Sequence, residues 1–225
     1  MATVKSALIV GASRGLGLGL AGELQTRGWA ITGTERRPSA ELAALGAAVI
    51  SDVDVTVPAR IMALWHRLDG QKFDLIFLNA GIMAGRGVPV GEIADSDITR
   101  VLYTNAIAPI RAADALIGLA APGATIAFMT SILGSIANNL DGRMELYRAS
   151  KAMLNSLARS FAARHVAAGF TILSLHPGVV RTSMGGPSAP LDIPTSVRGL
   201  ADVLERRAGT KTHVFVDYQD REILW

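Results

Sequence analysis

The strongest constraint on the fold is an alternation of short apolar runs with longer segments of helical period. The apolar runs are rich in β-forming residues, begin with ALIVG at residues 7–11, and return near residues 31, 49, 76, 127, 173 and 215. The segments of helical period begin near Gly17, Ala40, Pro58, Asp95, Tyr147 and Thr195. Because parallel strands joined by right-handed helical crossovers have this pattern, the sequence predicts an α/β protein with a doubly wound parallel sheet of about seven strands.

Composition narrows the class of protein further. The chain has 225 residues, a net charge of +3 and no cysteine, so disulfides, thiol nucleophiles and thiolate metal sites are excluded. Its four histidines lie far apart, its basic residues are scattered, and its apolar runs are too short to span a bilayer. We therefore predict one cytoplasmic domain over residues 1–225, without a metal site, a nucleic-acid partner or a membrane partner.

A glycine turn follows the first predicted strand. The sequence GASRGLG places Gly11, Gly15 and Gly17 between that strand and the first helix, with Ser13, Arg14 and Leu16 among them. A phosphate at such a turn meets backbone N–H groups at the positive end of the helix, and glycine allows close approach. The turn therefore predicts a nucleotide-binding site.

The same letters also spell G-x-S-x-G, from Gly11 through Ser13 to Gly15, which is the nucleophile elbow of α/β-hydrolases. An elbow normally follows several strands that build its sheet, whereas only ten residues precede Gly11. A hydrolase with Ser13 as its nucleophile is therefore a remote alternative.

The choice of dinucleotide depends on the end of the second strand, where TERRPSA offers both signs of charge. An acidic side chain here binds ribose hydroxyls, whereas arginine accepts a 2′-phosphate. Glu35 favours NAD(H), while Arg36, Arg37 and Arg14 of the glycine turn favour NADP(H). Because three cations can surround one phosphate while Glu35 turns outward or pairs with an arginine, we favour NADP(H), with NAD(H) possible.

Tyr147 and Lys151 are four residues apart in a predicted helix, so their side chains share one face. A cation about 5 Å from a phenol, at an effective dielectric near 20, favours the phenolate by roughly 3 kcal/mol. That energy lowers a pKa by about two units. We therefore predict that Lys151 lowers the pKa of Tyr147 and makes it a general acid or base.

Six motifs occur in one order along the chain: GASRGLG, LNAG at residues 78–81, TNAIAP at 104–109, TSILGS at 130–135, YRASK at 147–151 and HPGVVRT at 176–182. In order and spacing they resemble the short-chain dehydrogenase/reductase family over essentially the whole chain. The segments SILGS, VRTSMGGPSAP and REILW look most similar to a branch of small carbonyl reductases that includes Sniffer-like and C-factor-like proteins. The resemblance implies a single-domain Rossmann fold and an NAD(P)-dependent oxidoreductase acting on a carbonyl or alcohol.

The resemblance also implies a role for individual residues. Ser131 would hydrogen-bond the substrate oxygen, Tyr147 would transfer the proton, and Lys151 would tune the phenol and hold the nicotinamide ribose. Asn105 would anchor a water beside Lys151. The cofactor-binding residues that we predict are Gly11, Ser13, Arg14, Gly15, Leu16, Gly17, Glu35, Arg36, Asp54, Val55, Asn79, Ala80, Gly81, Tyr147, Lys151, Pro177, Gly178, Val179 and Thr182.

Two segments depart from the commonest family pattern. Sixteen positions separate Ser131 from Tyr147, so residues 137–143 must bulge outward to preserve the site. Residues 183–196, rich in glycine, proline and serine, are predicted to be a substrate loop at the carboxyl edge of the sheet. The loop is short, so the lid helix that many relatives have is predicted to be missing.

The substrate is predicted to be a small apolar carbonyl compound or the matching alcohol. Met83, Leu133, Ile136, Met184 and Pro187 are candidate walls of its pocket. The helices near Asp95 and Tyr147 carry apolar faces, and the resemblance implies pairing through them into a homodimer or homotetramer. A second functional hypothesis is an NAD(P)-binding sensor or signalling protein without significant turnover.

Overall fold

The structure, a computed structural model, describes residues 4–225 and contains the predicted parallel sheet. Its strands are β1 (Ser6–Val10), β2 (Ala30–Thr34), β3 (Ala48–Ile50), β4 (Phe73–Leu78), β5 (Ala120–Met129), β6 (Thr171–His176) and β7 (His213–Asp217). They lie side by side in the order β3-β2-β1-β4-β5-β6-β7, and all pair in parallel. Since β3 and β4 lie on opposite sides of β1, the winding direction reverses there. In doubly wound sheets a ligand crevice opens at that reversal.

Helices connect the strands and cover both faces of the sheet. They are α1 (Gly15–Thr26), α2 (Ala40–Ala44), α3 (Pro58–Arg67), α4 (Asp95–Leu102), α5 (Ala108–Leu116), α6 (Glu145–His165) and α7 (Ile193–Arg207). A π-helical turn, Tyr103–Ile107, joins α4 to α5. Pro109 at the start of α5 lacks an N–H group to donate to the preceding turn, and the helix widens just before it. In the part of the chain that the structure describes, no helix is long and apolar enough to cross a membrane.

Alternate residues of each strand supply two separate apolar layers. In β1, Leu8 and Val10 belong to the core under α3, α5 and α6, whereas Ile9 belongs to the core under α1 and α7. All three are fully buried. The strands are apolar on both faces because both faces are covered, as the sequence predicted.

The two unusual segments differ in how well they were predicted. Residues 136–143 are all exposed, so the insertion between Ser131 and Tyr147 bulges outward as expected. The predicted loop over residues 183–196 ends early, because Asp192 caps α7 by accepting a hydrogen bond from the Thr195 N–H at 2.9 Å. Residues 193–196 are therefore helical, and the loop proper contains turns but no helix.

Candidate active site

A cavity of about 1000 Å³ opens at the carboxyl ends of the central strands. It brings together residues from eight separate segments of sequence. The predicted cofactor residues that line it are Gly11, Ser13, Arg14, Gly15, Leu16, Arg36, Asp54, Val55, Asn79, Ala80, Gly81, Tyr147, Lys151, Pro177 and Thr182.

Six predicted site residues lie outside the cavity lining: Gly17, Glu35, Asn105, Ser131, Gly178 and Val179. Val179 faces solvent, with 52 % of its surface exposed. Gly178 has a φ of +81° and packs beside Leu191 and Tyr218, so it shapes the chain rather than the cavity. Thr182 reaches the cavity, but its hydroxyl oxygen already accepts a hydrogen bond from the Gly185 N–H at 3.0 Å.

The glycine turn is held closely against β4. Gly11 has a φ of +92°, which favours glycine, and its carbonyl accepts a hydrogen bond from the Asn79 side-chain amide at 2.8 Å. A Cβ at Gly17 would clash with the Gly11 carbonyl oxygen and lie 2.6 Å from Asn79 Nδ2. Gly17 therefore lets α1 pack directly against the glycine turn.

The start of α1 is suited to an anion. Within residues 4–225 no side chain caps this helix, and its first turn contains no acidic residue. The N–H groups of Gly15 and Leu16 are therefore not engaged by a cap, and both residues line the cavity. Free N–H groups and the helix dipole together favour a phosphate at this position.

The charged side chains at the end of β2 point in two different directions. Arg36 and Arg37 line the cavity together with Arg14. Glu35 is 4 % exposed and turns inward, where its carboxylate accepts hydrogen bonds from Ser51 Oγ at 2.6 Å and the Ser39 N–H at 2.8 Å. Glu35 is therefore not among the residues that line the cavity, and its carboxylate joins β2 to its neighbours within the fold. It also neither turns outward nor pairs with an arginine.

Asp54 lies beside this basic group. It accepts hydrogen bonds from the Thr56 N–H at 2.9 Å and the Thr56 hydroxyl at 2.6 Å. The Arg36 guanidinium lies 3.7 Å from its carboxylate. Burial raises the pKa of Asp54, but the Thr56 hydrogen bonds and the Arg36 charge outweigh it and lower that pKa overall. Asp54 is therefore a charged wall of the cavity.

Tyr147 and Lys151 share one face of α6, as their spacing predicts. Lys151 Nζ lies 5.8 Å from the centre of the Tyr147 ring and donates a hydrogen bond to the Met129 carbonyl at 2.9 Å. Only 7 % of Tyr147 and 3 % of Lys151 is exposed. Both side chains are therefore fixed at the end of β5, where they line the cavity.

Burial controls the pKa of both groups. It raises the pKa of Tyr147 to about 12 and lowers the pKa of Lys151 to about 8. Because the charged form of each group loses hydration inside the protein, the phenol holds its proton and the ammonium releases its proton more readily. The prediction that Lys151 lowers the pKa of Tyr147 is wrong for the chain by itself.

Asn105 lies in the π-helical turn and braces the loop after β4. Its side chain accepts a hydrogen bond from the Ile82 N–H and donates one to the Ile82 carbonyl, both at 2.8 Å. It also donates to Ser150 Oγ at 3.0 Å. A Cβ at Gly81 would lie 3.5 Å from both Asn105 Oδ1 and Lys151 Nζ, so these three residues are neighbours.

Ser131 begins a short 3₁₀ turn, Ile132–Gly134, and its Oγ accepts a hydrogen bond from the Leu133 N–H at 3.1 Å. The turn is pressed against α6, since a Cβ at Gly134 would lie 2.8 Å from the Lys151 backbone. Ser131 is therefore held beside the helix that carries Tyr147 and Lys151, although it lies just outside the cavity lining.

Two further residues line the cavity, although the sequence did not predict either of them as a catalytic or cofactor-binding residue. Thr130 is 2 % exposed, and its hydroxyl has no hydrogen-bond partner among the residues that the structure describes. Met184 Sδ accepts a hydrogen bond from the Tyr147 hydroxyl at 3.7 Å. Met184 was a candidate wall, and it is the one member of that group that lines the cavity; Met83, Leu133, Ile136 and Pro187 do not.

Helix α4 also contributes to the cavity, which the sequence did not predict. Its contributing residues, with those of the π-helical turn, are Asp95, Ser96, Thr99, Arg100, Tyr103 and Thr104. Of these, only Thr104 belongs to one of the six motifs, so tertiary packing rather than a local pattern brings the others to the cavity.

Comparison with known proteins shows the family. Residues 5–190 match the family model described as short chain dehydrogenase. The chain belongs to the short-chain dehydrogenase family. This membership confirms the prediction of an oxidoreductase acting at a C=O or CH–OH group, and it does not favour either alternative, the sensor or the α/β-hydrolase.

The C-signal protein of Myxococcus xanthus is 38 % identical over 154 residues, which cover 68 % of this chain and 92 % of that protein. A solved short-chain dehydrogenase/reductase of Burkholderia multivorans with bound NADP is 40 % identical, with a TM-score of 0.96, over 99 % of this chain and 100 % of that one. The carbonyl reductase Sniffer of D. melanogaster is 29 % identical, with a TM-score of 0.90, over 99 % and 100 % of the two chains. The predicted likeness to the Sniffer and C-factor branch is thus confirmed.

Proposed function

We propose that this short-chain dehydrogenase is an NADPH-dependent reductase of small apolar carbonyl compounds. The observation that carries the proposal is a single cavity lined both by the buried Tyr147 and Lys151 and by Arg14, Arg36 and Arg37. The solved relative from Burkholderia multivorans has NADP bound, and the Drosophila relative is a carbonyl reductase.

The residues that would hold NADP(H) fit its groups. The uncapped start of α1 suits the diphosphate, and Arg14, Arg36 and Arg37 suit the 2′-phosphate. Lys151 has used one of its three N–H donors on Met129, which leaves donors for ribose hydroxyls. When bound, NADPH supplies the hydride for the carbonyl carbon.

Side chains of the protein would supply the proton and the hydrogen bond that stabilises charge on the carbonyl oxygen. Because the pKa of Tyr147 is about 12, the phenol carries its proton at neutral pH and can donate it to the carbonyl oxygen of a substrate. Ser131, held beside α6, would donate a hydrogen bond to the same oxygen as charge develops. The charged form of Lys151 would stabilise the phenolate that remains.

The test is loss of NADPH absorbance at pH 7 with a panel of small aldehydes, ketones and quinones. Tyr147→Phe removes only the reactive hydroxyl, so turnover is expected to fall by roughly 10²- to 10⁴-fold while NADPH binding persists. Tyr218→Phe, a tyrosine outside the cavity lining, is the matched control. Turnover that survives Tyr147→Phe would contradict the mechanism, and cofactor binding without turnover by the wild type would favour the sensor hypothesis.

The oligomeric state and the location belong to the same proposal. Helix α6 leaves Ala152, Met153 and Leu157 partly exposed, and this apolar strip supports a homodimer or homotetramer built on α4 and α6. Light scattering on a sizing column at micromolar concentration is expected to give two or four times the mass of the chain, and a monomer would contradict it. The absence of cysteine from the sequence supports a cytoplasmic location.

A further inference from the structure

Met184 occupies the place in front of the Tyr147 hydroxyl. The hydroxyl donates to Met184 Sδ at 3.7 Å, and both residues line the same cavity. A thioether is a weak acceptor, so a carbonyl oxygen can displace it from the hydroxyl at little cost. Because Met184 contacts the hydroxyl that would bind the carbonyl oxygen, its side chain is a near neighbour of the groups attached to the carbonyl carbon.

A tight turn over residues 182–186 fixes Met184 from behind. Thr182 Oγ1 accepts a hydrogen bond from the Gly185 N–H at 3.0 Å, and the Thr182 carbonyl accepts one from the Gly186 N–H at 2.9 Å. A Cβ at Gly185 would clash with the Val180 carbonyl oxygen, and Gly186 has a φ of +86°. The turn therefore depends on both glycines and presents Met184 at its tip.

The exposed Arg86, in the loop after β4, bonds to the Met184 backbone. Its guanidinium donates to the Met184 carbonyl and lies 3.4 Å from Met83 Sδ. The loop that carries Arg86 is itself fixed, because Asn105 bonds both backbone groups of Ile82. The bond from Arg86 therefore ties the backbone of Met184 to the loop after β4.

We propose that Met184 is a specificity-determining residue that selects carbonyl substrates by the width of the group beside the carbonyl carbon, with Arg86 as its positioning residue. The inference rests on the proposed carbonyl reductase function. Aldehydes and methyl ketones leave room for the methionine side chain after the sulfur is displaced. A branched group beside the carbonyl needs the same space as the Cγ, Sδ and Cε atoms of Met184.

The first test compares kcat/KM for isobutyrophenone, which is branched beside the carbonyl, with that for acetophenone. Met184→Ala is expected to raise the branched-to-methyl ratio about tenfold or more, since a single methylene in an apolar pocket changes discrimination by roughly 10- to 200-fold. Met184→Leu keeps the bulk without the sulfur and is expected to keep the wild-type ratio. A Met184→Ala ratio within twofold of wild type would overturn the proposal.

The second test concerns Arg86. Arg86→Ala is expected to shift the same ratio severalfold toward the branched ketone, because Met184 loses its tether. Arg164→Ala is the control, since Arg164 is an exposed arginine of α6 that pairs with Asp114. An Arg86→Ala ratio equal to that of the control would overturn the positioning role.

A third measurement separates this inference from the proposed function, because it needs no turnover. In protein with ¹³C-methyl methionine and saturating NADP⁺, the Met184 signal is assigned by its absence from Met184→Leu. Acetophenone is expected to move that signal more than isobutyrophenone at equal concentration. Wild-type protein that reduces no ketone would refute the proposed function alone, whereas a Met184 signal unmoved by acetophenone would refute the inference.

Discussion

Glu35 shows how a single buried carboxylate can mislead an interpretation of cofactor choice. Its position at the end of β2 is where an acid binds ribose hydroxyls, yet its oxygens are engaged by Ser51 and Ser39. Arg36 and Arg37, the next two residues, point to the cavity instead. At this scale, cofactor preference follows from the direction in which each side chain points.

This arrangement predicts separate effects at neighbouring positions. Glu35→Gln leaves buried partners imperfectly paired, so the free energy of unfolding is expected to fall by about 1 to 3 kcal/mol. The ratio of kcat/KM for NADPH to that for NADH is expected to stay at the wild-type value. The double variant Arg36→Ala, Arg37→Ala is expected to lower that ratio about tenfold or more, since each charged hydrogen bond contributes about 1.5 to 3 kcal/mol.

Denaturant unfolding and steady-state kinetics with both cofactors measure the two effects. A change of the cofactor ratio in Glu35→Gln would show that the carboxylate acts on the cofactor after all.

At the scale of elements, the junction of β1 with α1 requires glycine only where the helix packs directly against the turn. Gly17 and Gly22 lie in the same helix. A Cβ at Gly17 would clash with the Gly11 carbonyl, whereas a Cβ at Gly22 would meet only Leu45 Cδ2, at 3.6 Å. Alanine at Gly17 therefore tests whether close packing requires glycine, whereas alanine at Gly22 tests only the low helix propensity of glycine.

Gly17→Ala is expected to push the glycine turn away from α1 and to weaken NADPH binding at least about tenfold. Gly22→Ala is expected to leave binding unchanged and to raise the free energy of unfolding by up to about 1 kcal/mol, because alanine is the better helix former. NADPH fluorescence titration and urea unfolding test both variants. Wild-type affinity in Gly17→Ala would contradict the packing role of this glycine.

For the whole molecule, the buried His176 and the half-buried His213 couple stability to pH. Burial lowers the pKa of His176 to about 4, and burial together with the charge of Arg159 lowers the pKa of His213 to about 4. In the unfolded chain each histidine binds its proton near pH 6.5, so below that pH the unfolded state binds more protons. Stability is therefore lost as the pH falls from about 6.5 toward 4.

Between pH 7 and pH 5 the loss is expected to be about 2 kcal/mol for each histidine, as urea unfolding at the two pH values would measure. His213→Gln is expected to remove about half of this dependence. His66→Gln, at an exposed position of α3, is expected to leave it unchanged. An unfolding free energy that is flat from pH 7 to pH 5 would contradict the prediction.

The sequence by itself determined the parallel sheet, the glycine turn and the pairing of Tyr147 with Lys151. Each of these depends on local periodicity or on residues a few positions apart, whose geometry the backbone sets directly. The order of the six motifs along the chain likewise indicated the family.

Only the tertiary structure decided which way Glu35 points, how burial shifts the pKa of Tyr147, and that Met184 reaches the Tyr147 hydroxyl. Glu35 and Ser51 are 16 positions apart, and Tyr147 and Met184 are 37 apart. Contacts over such separations, and the loss of hydration that follows burial, depend on how complete elements pack. No local pattern in the sequence encodes them.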